Sequence, residues 1–517
     1  MANTTLFRSL MGALIPKADA INEAGGPAYS LSPEQALAQF ASTGCLNTTF
    51  YATDAVQLDH VTTLAERVST AFVAKTAVYC RERGYMKDMP ALLLAILSRR
   101  EPALMDRIFD RVVDSPRMLR TFVQIVRSGA TGRKSLGSAP RRCVRRWLDQ
   151  RTDAAIFAAS VGNDPSLVDV VRMVHPKPAT PVREALYAYL MGRTIATDRL
   201  PPIVREFEAY KTGDRTQVPD VPFQMLTSLE LDTNAWCDIA RRASWQATRM
   251  NLNTFARHGV FARRELVDIV AARLRDESEI RRARVFPYQL LAAYRSVDDA
   301  VPSELRRALE DAMEAAIANV PSIDGQVYVC PDVSGSMRSP ITGARRGATT
   351  TMRCVDVAAL VSAAVLRRNP DAEVLPFDDG VESLRLSPRD SVMTNAERLA
   401  AVGGGGTRVS APLAVLNSRK ASGDLVIVVS DNESWVDAST GRGTATMREW
   451  NRFRARNPRA RLVLIDLQPY STTQASERSD ILNVGGFSDQ VFDIVADFAA
   501  GRLNADHWVG EIDAIAV

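Results

Sequence analysis

The sequence predicts a mixed fold, in which a long series of short helices is followed by a doubly wound α/β domain. Residues 31–320 repeat apolar side chains at three- and four-residue spacing, the pattern of amphipathic helices. After Pro321, short runs rich in valine and leucine alternate with helical segments. A chain of 517 residues is also too long to fold around a single hydrophobic core, so at least two domains are expected.

The first part is predicted to be helical throughout. Pro, Gly, Asn or Asp separates most of the helical segments from one another. Those segments are PEQALAQFAS, PALLLAILSRR, RMLRTFVQIVRS, PSLVDVVRMV, REALYAYLMGR, RELVDIVAARLRD and SELRRALEDAMEAAIANV. Such a series is typical of stacked helix pairs, as in an α-solenoid. Because no strict repeat period is visible, one globular helical domain is the alternative.

The second part is predicted to contain a buried parallel sheet. Its strands are GQVYVCPD (325–332), AEVLPFDD (372–379), DLVIVVSD (424–431) and RLVLIDLQ (461–468). Its helices are RCVDVAALVSAAVLRR (353–368), APLAVLNSRK (411–420), MREWNRFRAR (447–456) and SDQVFDIVADFAA (488–500). Ligands of such folds lie at the carboxyl ends of the strands, where Asp332 and Asp431 are found. The last residues, 501–517, are predicted only to be a tail.

Oxygen-bearing side chains cluster at these strand ends. The DVSGS sequence (332–336) follows the first strand, Thr407 follows four glycines, and Asp431 ends the third strand. Two carboxylates and three hydroxyls suit a hard divalent cation such as Mg²⁺. The alternative is an ordinary turn rich in capping residues. We expect no catalysis there, because no nucleophile–base pair lies nearby in the sequence.

Positive charge is concentrated in the first part. The net charge is +7 for residues 1–320 and −3 from residue 321 onward, so a polyanion is the expected partner of the first part. Between residues 127 and 151 the only acid is Asp149, against eight basic side chains: Arg127, Arg133, Lys134, Arg141, Arg142, Arg145, Arg146 and Arg151. Arginine neutralises phosphates and stacks on unpaired bases, which predicts RNA binding. A solvated helix face is the alternative.

Two further segments contain side chains suited to RNA. His175 and Lys177 lie in HPKP, and Arg249, Asn251 and Asn253 lie in RMNLNTFARHG. The asparagines have capping and turn formation as an equally good alternative.

Cysteine and histidine patterns indicate a reduced, cytoplasmic protein. The six cysteines form no CxxC pair and the four histidines no HExxH-like group, so neither disulfides nor a zinc site is expected. No apolar run reaches about 18 residues, and we therefore expect no membrane span.

Five segments resemble the TROVE module of the Ro autoantigen family. They are NEAGGPAYSLSPEQALAQFASTGCLNTTFY (22–51), FVQIVRSGATGRKSLGSAPRRCVRRWL (122–148), VRMVHPKPA (171–179), TRMNLNTFARHGVF (248–261) and RVFPYQLLAAY (284–294). The DVSGS–Thr407–Asp431 set resembles the metal-ion-dependent adhesion site of von Willebrand factor A-like domains. The order of the two parts is that of a bacterial-type Ro orthologue, with a TROVE domain at 1–320 and an A-like domain at 321–517.

This resemblance implies roles for the residues of the metal site. Ser334 and Ser336 would bind the cation directly, Thr407 directly or through water, and Asp332 and Asp431 mostly through water. One coordination position would stay open for an acidic group of a partner.

The resemblance also implies a ring of HEAT-like repeats that acts in noncoding RNA quality control. A Y-like RNA would bind the outer basic surface, with His175 contributing, and single-stranded 3′ ends of misfolded RNAs would enter the hole. A monomer is implied, with an exoribonuclease as an indirect partner through the Y RNA. We expect no enzymatic activity. The alternatives are a metal-dependent protein-adhesion scaffold and a metal-dependent RNA hydrolase.

Overall fold

The computed structural model describes residues 15–162, 165–214, 216–283, 285–318, 320–344, 352–436, 443–488, 490–503 and 506–517. They form two compact units, which are described separately below. Unit 1 consists of Met1–Met89, Arg284–Arg295 and Glu310–Ala516. Unit 2 consists mainly of Pro90–Ala283 and Ser296–Leu309.

Helices account for nearly all regular structure before residue 320. They are α1 (Pro33–Thr43), α2 (Asp54–Arg67), α3 (Thr70–Glu82), α4 (Asp88–Arg100), α5 (Pro102–Val112), α6 (Pro116–Ser128), α7 (Ser138–Asp149), α8 (Asp153–Ala158), α9 (Leu167–Val174), α10 (Pro181–Leu190), α11 (Pro202–Thr212), α12 (Thr233–Arg242), α13 (Trp245–Met250), α14 (Leu252–Arg257), α15 (Arg264–Arg275), α16 (Glu277–Ala283), α17 (Pro287–Ser296) and α18 (Ser303–Ala316). Each of the seven predicted helical segments corresponds to one of these helices.

The remaining elements form the α/β part and a small second sheet. The helices after residue 320 are α19 (Cys354–Arg368), α20 (Val392–Ala400), α21 (Ala411–Ser418), α22 (Ala445–Arg456), α23 (Gln490–Ala499) and α24 (His507–Asp513). The strands are β1 (Ala20–Ile21), β2 (Pro27–Ser30), β3 (Val327–Pro331), β4 (Glu373–Val374), β5 (Leu425–Ser430), β6 (Arg461–Asp466), β7 (Thr472–Thr473) and β8 (Ile481–Gly485).

Helix boundaries in unit 2 follow local capping chemistry. The hydroxyl of Ser115 accepts a hydrogen bond from the backbone of Met118, and Pro116 takes the first helical position of α6. Gly129 ends this helix in the left-handed region at a φ of +88°. Helices near in sequence pack on each other: α5 on α7, and α9 on α6, α7 and α10. The segment after Gly129 therefore returns the chain for α7 to pack beside α5.

The main sheet of unit 1 has five parallel strands in the order β4-β3-β5-β6-β8. In chain order this is 2-1-3-4-5, a doubly wound arrangement whose direction switches between β3 and β5. All residues of β3 and β5 are buried. The predicted fold class, helices followed by a doubly wound α/β domain, is confirmed.

Several elements of unit 1 were not predicted. Strand β8 and helix α20 are additional, and the tail contains α24, where Trp508 donates a hydrogen bond of 3.0 Å from Nε1 to the hydroxyl of Tyr79 on α3. The second sheet, β1-β2-β7, pairs Tyr29 with Thr473. Residues 15–89 therefore belong to the compact unit that contains the α/β part. The predicted domain boundary at residue 320 stays a prediction. Within the described ranges, no helix is long and apolar enough to cross a membrane.

Candidate metal centre and basic surface

The two carboxylates of the predicted metal site lie at the switch point of the sheet. Asp332 follows β3 and Asp431 follows β5, and these two strands are adjacent and parallel. Oδ1 of Asp332 accepts a hydrogen bond of 2.9 Å from the backbone N–H of Ser334, and its Oδ2 accepts one of 2.5 Å from the Ser430 hydroxyl. Parallel pairing thus places both acids at one edge of the sheet, as predicted from their positions at strand ends.

The hydroxyls of the site come from two loops that hydrogen bond to each other. The Oγ atoms of Ser334 and Ser336 lie 3.4 Å apart. The backbone N–H of Gly335 donates a hydrogen bond of 2.9 Å to the carbonyl of Gly405, in the glycine loop before Thr407. The structure therefore brings all five predicted ligand residues into one region of unit 1.

Two aspartates that the sequence did not single out hold the glycine loop. Asp378 Oδ2 accepts a hydrogen bond of 3.0 Å from the Gly405 N–H, and Asp379 Oδ2 accepts one of 3.1 Å from the Gly406 N–H. Gly403 has a φ of +75°, and a Cβ there would lie 2.3 Å from Cγ2 of Val333. A side chain would not fit at this position, which explains one of the four glycines.

The electrostatics of this region favour a bound cation. The side chains of Asp332, Ser334, Ser336, Thr407 and Asp431 belong to residues at most 5% exposed. Burial, together with the charge of Asp431, raises the pKa of Asp332, and burial raises the pKa of Asp431. Neither acid has a basic partner among the described residues. A divalent ion would compensate this buried negative charge, and the oxygen-only donor set suits Mg²⁺.

A third acid lies beside this pair. Glu433 is fully buried, and its Oε2 accepts a hydrogen bond of 3.1 Å from the backbone N–H of Ala24, whereas its Oε1 has no hydrogen-bond partner among the described residues. Burial and the charge of Asp431 raise the pKa of Glu433 to about 9. No group of three or more His, Cys, Asp or Glu side chains in the described part of the chain could hold a metal. A cation bound here would therefore need the serine and threonine hydroxyls among its ligands.

The basic surface of unit 2 is built around α7. One side of this helix is buried through Cys143, Val144, Trp147 and Leu148, and Nε1 of Trp147 donates a hydrogen bond of 2.8 Å to the carbonyl of Val113. This anchor fixes the rotation of α7.

Two of the four arginines on α7 are paired with acids of α5. Arg142 contacts Asp106 at 2.8 Å, and Arg146 contacts both Asp106 and Asp110. Burial alone would raise the pKa of Asp106, but hydrogen bonds from these arginines lower it to about 2. A count of basic residues along the sequence therefore overstates the unpaired positive charge, because Asp106 and Asp110 of α5 form ion pairs with arginines of α7.

We expect Asp106→Asn to lower the free energy of unfolding by about 1 kcal/mol at neutral pH. Because the pKa of Asp106 is lowered in the folded state, its contribution is present above the unfolded value of about 3.9 and is lost as the pH falls toward 2. Urea unfolding of wild type and variant from pH 7 to pH 3 measures this. A difference in unfolding free energy between wild type and variant that is the same at every pH would contradict this prediction.

The other predicted cations of this region have different surroundings. Arg145 Nε donates a hydrogen bond of 2.5 Å to the carbonyl of Val174, next to His175 at the end of α9. His175 is exposed and takes a left-handed φ of +47°. Exposed or half-buried cations without an ion pair in the described ranges are Arg127, Arg133, Lys134, Arg141 and Lys177.

Two guanidinium nitrogen atoms are buried without a hydrogen-bond partner among the described residues. Nη1 of Arg133 and Nε of Arg141 are buried atoms that have no partner among the described residues. Arg172, which was not among the predicted RNA-binding residues, is exposed on α9 three residues before His175. Its charge and that of Arg127 both help to lower the pKa of Asp169, after the hydrogen bonds from Ser166. Arg127 and Arg172 are therefore close enough to act on one acid.

The third predicted RNA segment lies at a break between two helices. Asn251 separates α13 from α14, and its Nδ2 donates a hydrogen bond of 2.7 Å to the carbonyl of Ala247. Asn253 donates to the carbonyl of Ser296 at 2.7 Å and accepts from the N–H of Asp298 at 3.2 Å. These are the structural roles weighed as the alternative, so RNA contact by both asparagines stays a prediction.

A cavity of about 600 Å³ opens beside the same break. Asn251 lines it together with Met250, Arg242 and residues 218–224. Arg249 lies next to it in the sequence and donates from Nε to Oε1 of Gln246 at 3.5 Å. The segment thus borders a hollow of ligand size.

Family models and individual relatives of the chain indicate the same protein family. A TROVE domain matches residues 163–357 and a Ro60 vWA domain matches residues 326–499. The chain belongs to the Ro autoantigen family. RNA-binding protein RO60 of Deinococcus radiodurans is 26% identical, with 93% of this chain and 95% of that protein covered. RNA-binding protein RO60 of Caenorhabditis elegans is 23% identical over 46% of this chain and 37% of that protein.

A solved structure of the Ro family shows the same fold. The crystal structure of the Deinococcus radiodurans RO (RSR) protein aligns with 91% of this chain and 100% of that chain, at a TM-score of 0.59 and 22% identity. All five predicted metal residues lie inside the matched Ro60 vWA domain. The basic helix α7 precedes the matched TROVE range, whereas His175, Lys177 and Asn251 lie within it.

Proposed function

We propose that this Ro-family chain binds structured RNA through the basic side chains of residues 127–146 and 172–177. The proposal rests on the arginines and lysines that have no ion pair in the described ranges. They lie in the segments that the hydrogen bond from Arg145 to the carbonyl of Val174 joins. Two relatives bear the name RNA-binding protein, which agrees with it. Phosphates would compensate these charges, and the arginines would stack on unpaired bases.

The RNA partners follow from the resemblance to the Ro family. We propose that a Y-like noncoding RNA occupies the basic surface and that misfolded structured RNA is captured by its single-stranded 3′ end. A Y RNA held in this way would tether an exoribonuclease, and the chain would work as a cytoplasmic monomer in RNA quality control. The RNA would be read by shape and charge, with the chain itself leaving it uncleaved.

The test of this function is a filter-binding titration at several salt concentrations. We expect a hairpin RNA with a single-stranded 3′ tail to bind more tightly than its blunt counterpart, and to be recovered intact in Mg²⁺. Equal binding of tailed and blunt RNA would contradict capture of the 3′ end. The absence of binding at low salt would contradict RNA binding altogether.

The metal site would play a structural part in this function. Ser334, Ser336 and Thr407 would hold Mg²⁺ or another divalent cation together with the carboxylates of Asp332 and Asp431. A bound cation would neutralise the buried acids and fix the loops at the switch point. A protein-adhesion scaffold is less well supported, because residues at most 5% exposed offer little access to an outside ligand.

A further inference from the structure

The cavity of about 600 Å³ beside Asn251 lies entirely within unit 2. One wall is the segment 218–224, and the other consists of the end of α12 and of α13, up to Asn251. Protein pockets that bind small ligands measure roughly 300–1,000 Å³. The cavity is therefore large enough for one nucleotide.

Contacts from α12 hold the wall that residues 218–224 form. Nη2 of Arg242 donates a hydrogen bond of 2.8 Å to the carbonyl of Val218. The ring of Phe223 packs against the ring of Trp236, with ring centroids 6.4 Å apart. Both partners belong to the helix that lines the other wall, so the two walls are fixed to each other and the cavity is formed before a ligand enters.

Two side chains of the cavity offer apolar surface to a base. Met250 is 67% exposed, and its sulfur accepts a hydrogen bond of 3.7 Å from Nε2 of Gln246. Phe223, on the wall of residues 218–224, is half-buried. Bases that enter protein pockets are held by stacking on aromatic and apolar side chains, so this lining suits a nucleobase.

The polar lining suits the rest of a nucleotide. Arg242 has no ion pair in the described ranges, and its hydrogen bonds go to the carbonyls of Val218 and Asp238, so its charge can compensate a phosphate. Asn251 uses Nδ2 within α13, which leaves its side-chain oxygen as an acceptor for a base. Asp220 is exposed, and a carboxylate accepts hydrogen bonds from ribose hydroxyls.

We propose that this cavity holds one unpaired nucleotide of a bound RNA strand, with the base on Phe223 and Met250 and the phosphate on Arg242. The inference rests on the proposed RNA binding and deepens it, since the cavity and the basic surface belong to the same unit. A paired base cannot enter such a pocket unless its pairing and stacking are broken. The cavity thus selects RNA that carries an unpaired segment.

The test compares a hairpin RNA with a single-stranded 3′ tail and its blunt counterpart on the full-length protein. We expect the double variant Arg242→Gln, Met250→Ser to bind the tailed RNA about tenfold more weakly than wild type, because a phosphate contact and a stacking surface are lost. Its affinity for the blunt RNA should be unchanged, which also shows that the variant is folded.

The matched control changes the same two residue types elsewhere in unit 2. Arg205 is an exposed cation without an ion pair in the described ranges, and Val182 is an exposed apolar side chain. The double variant Arg205→Gln, Val182→Ser should bind both RNAs as wild type does. A tail that contains 4-thiouridine should crosslink to peptides from residues 218–251 in wild type and in this control, and not in Arg242→Gln, Met250→Ser.

The outcomes separate the inference from RNA binding itself. A preference for tailed RNA that persists in Arg242→Gln, Met250→Ser would overturn the inference and leave the proposed function intact. Equal losses of tailed and blunt RNA would overturn it as well, because the cavity would then not read an unpaired segment. Wild type that binds no RNA at low salt would overturn both the proposed function and the inference.

A free nucleotide has the same chemical groups, so adenosine 5′-monophosphate is the second probe, measured by equilibrium dialysis. We expect it to bind wild type much more weakly than the tailed RNA, since a free nucleotide lacks the contacts of the strand with the basic surface. Adenosine 5′-monophosphate that binds as tightly as the tailed RNA would assign the cavity to a free nucleotide and would overturn the role of the RNA strand.

Discussion

Replacing Arg127, Lys134, Arg141 and Lys177 with glutamine should lower RNA affinity by two to three orders of magnitude at about 0.1 M salt. These four cations have no ion pair in the described ranges, so each is available to a phosphate. Each lost phosphate contact lowers the slope of log K against log salt by about 0.7 for single-stranded RNA. The slope should therefore fall by about 3 in the variant.

The control for this experiment removes the same charge elsewhere. Arg385, Arg389, Lys420 and Arg459 are exposed in unit 1, and their replacement with glutamine should leave the affinity within about twofold. Comparable losses in both quadruple variants would mean that net charge alone governs binding, and would contradict a localised surface. Salt-dependent filter binding with one tailed hairpin RNA measures both variants.

Asp431→Asn should abolish the stabilisation by Mg²⁺ and yet make the metal-free protein more stable. Wild type should gain about 2.7 kcal/mol of unfolding free energy when Mg²⁺ is a hundredfold above its Kd. The variant should gain nothing, because an amide replaces a charged ligand. Without metal, it should exceed wild type by about 1 kcal/mol, since one of two buried acids of like charge is removed.

Urea unfolding in EDTA and in Mg²⁺ measures both parts of this prediction. Asp371→Asn removes an exposed carboxylate of unit 1 and should leave the response to Mg²⁺ unchanged. An Asp431→Asn protein that Mg²⁺ still stabilises would show that the cation binds elsewhere. A metal-free variant less stable than wild type would show that Asp431 has a structural role beyond ligation.

The clustering of the candidate metal ligands could be predicted because its signals are local in the sequence. The DVSGS loop and Asp431 directly follow strongly apolar strands, and adjacent parallel strands bring their ends together. Asp378 and Asp379 end the predicted strand 372–379, but the observed strand β4 stops at Val374. Only the structure shows that these two acids accept hydrogen bonds from the glycine loop.

Elements were missed where the local pattern was weak or where partners were distant. Strand β8 contains Asn483, whose amide bonds to Ala475 and Glu477, and this polar residue interrupts the apolar run that predicts a strand. The acids of α5 that pair with α7 could not be located, because only folding places Asp106 beside Arg146. Charge counted along the sequence and charge free at the surface therefore differ.

RNA binding by the basic surface is tested by ultraviolet crosslinking of wild-type protein to a tailed hairpin RNA, followed by mass spectrometry of the crosslinked peptides. RNA bound by the basic surface should crosslink to peptides from residues 122–148 and 171–179, and these crosslinks should disappear at high salt. Crosslinks confined to peptides from residues 321–517 would contradict RNA binding by the basic surface, since they would place the RNA on the A-like part of the chain.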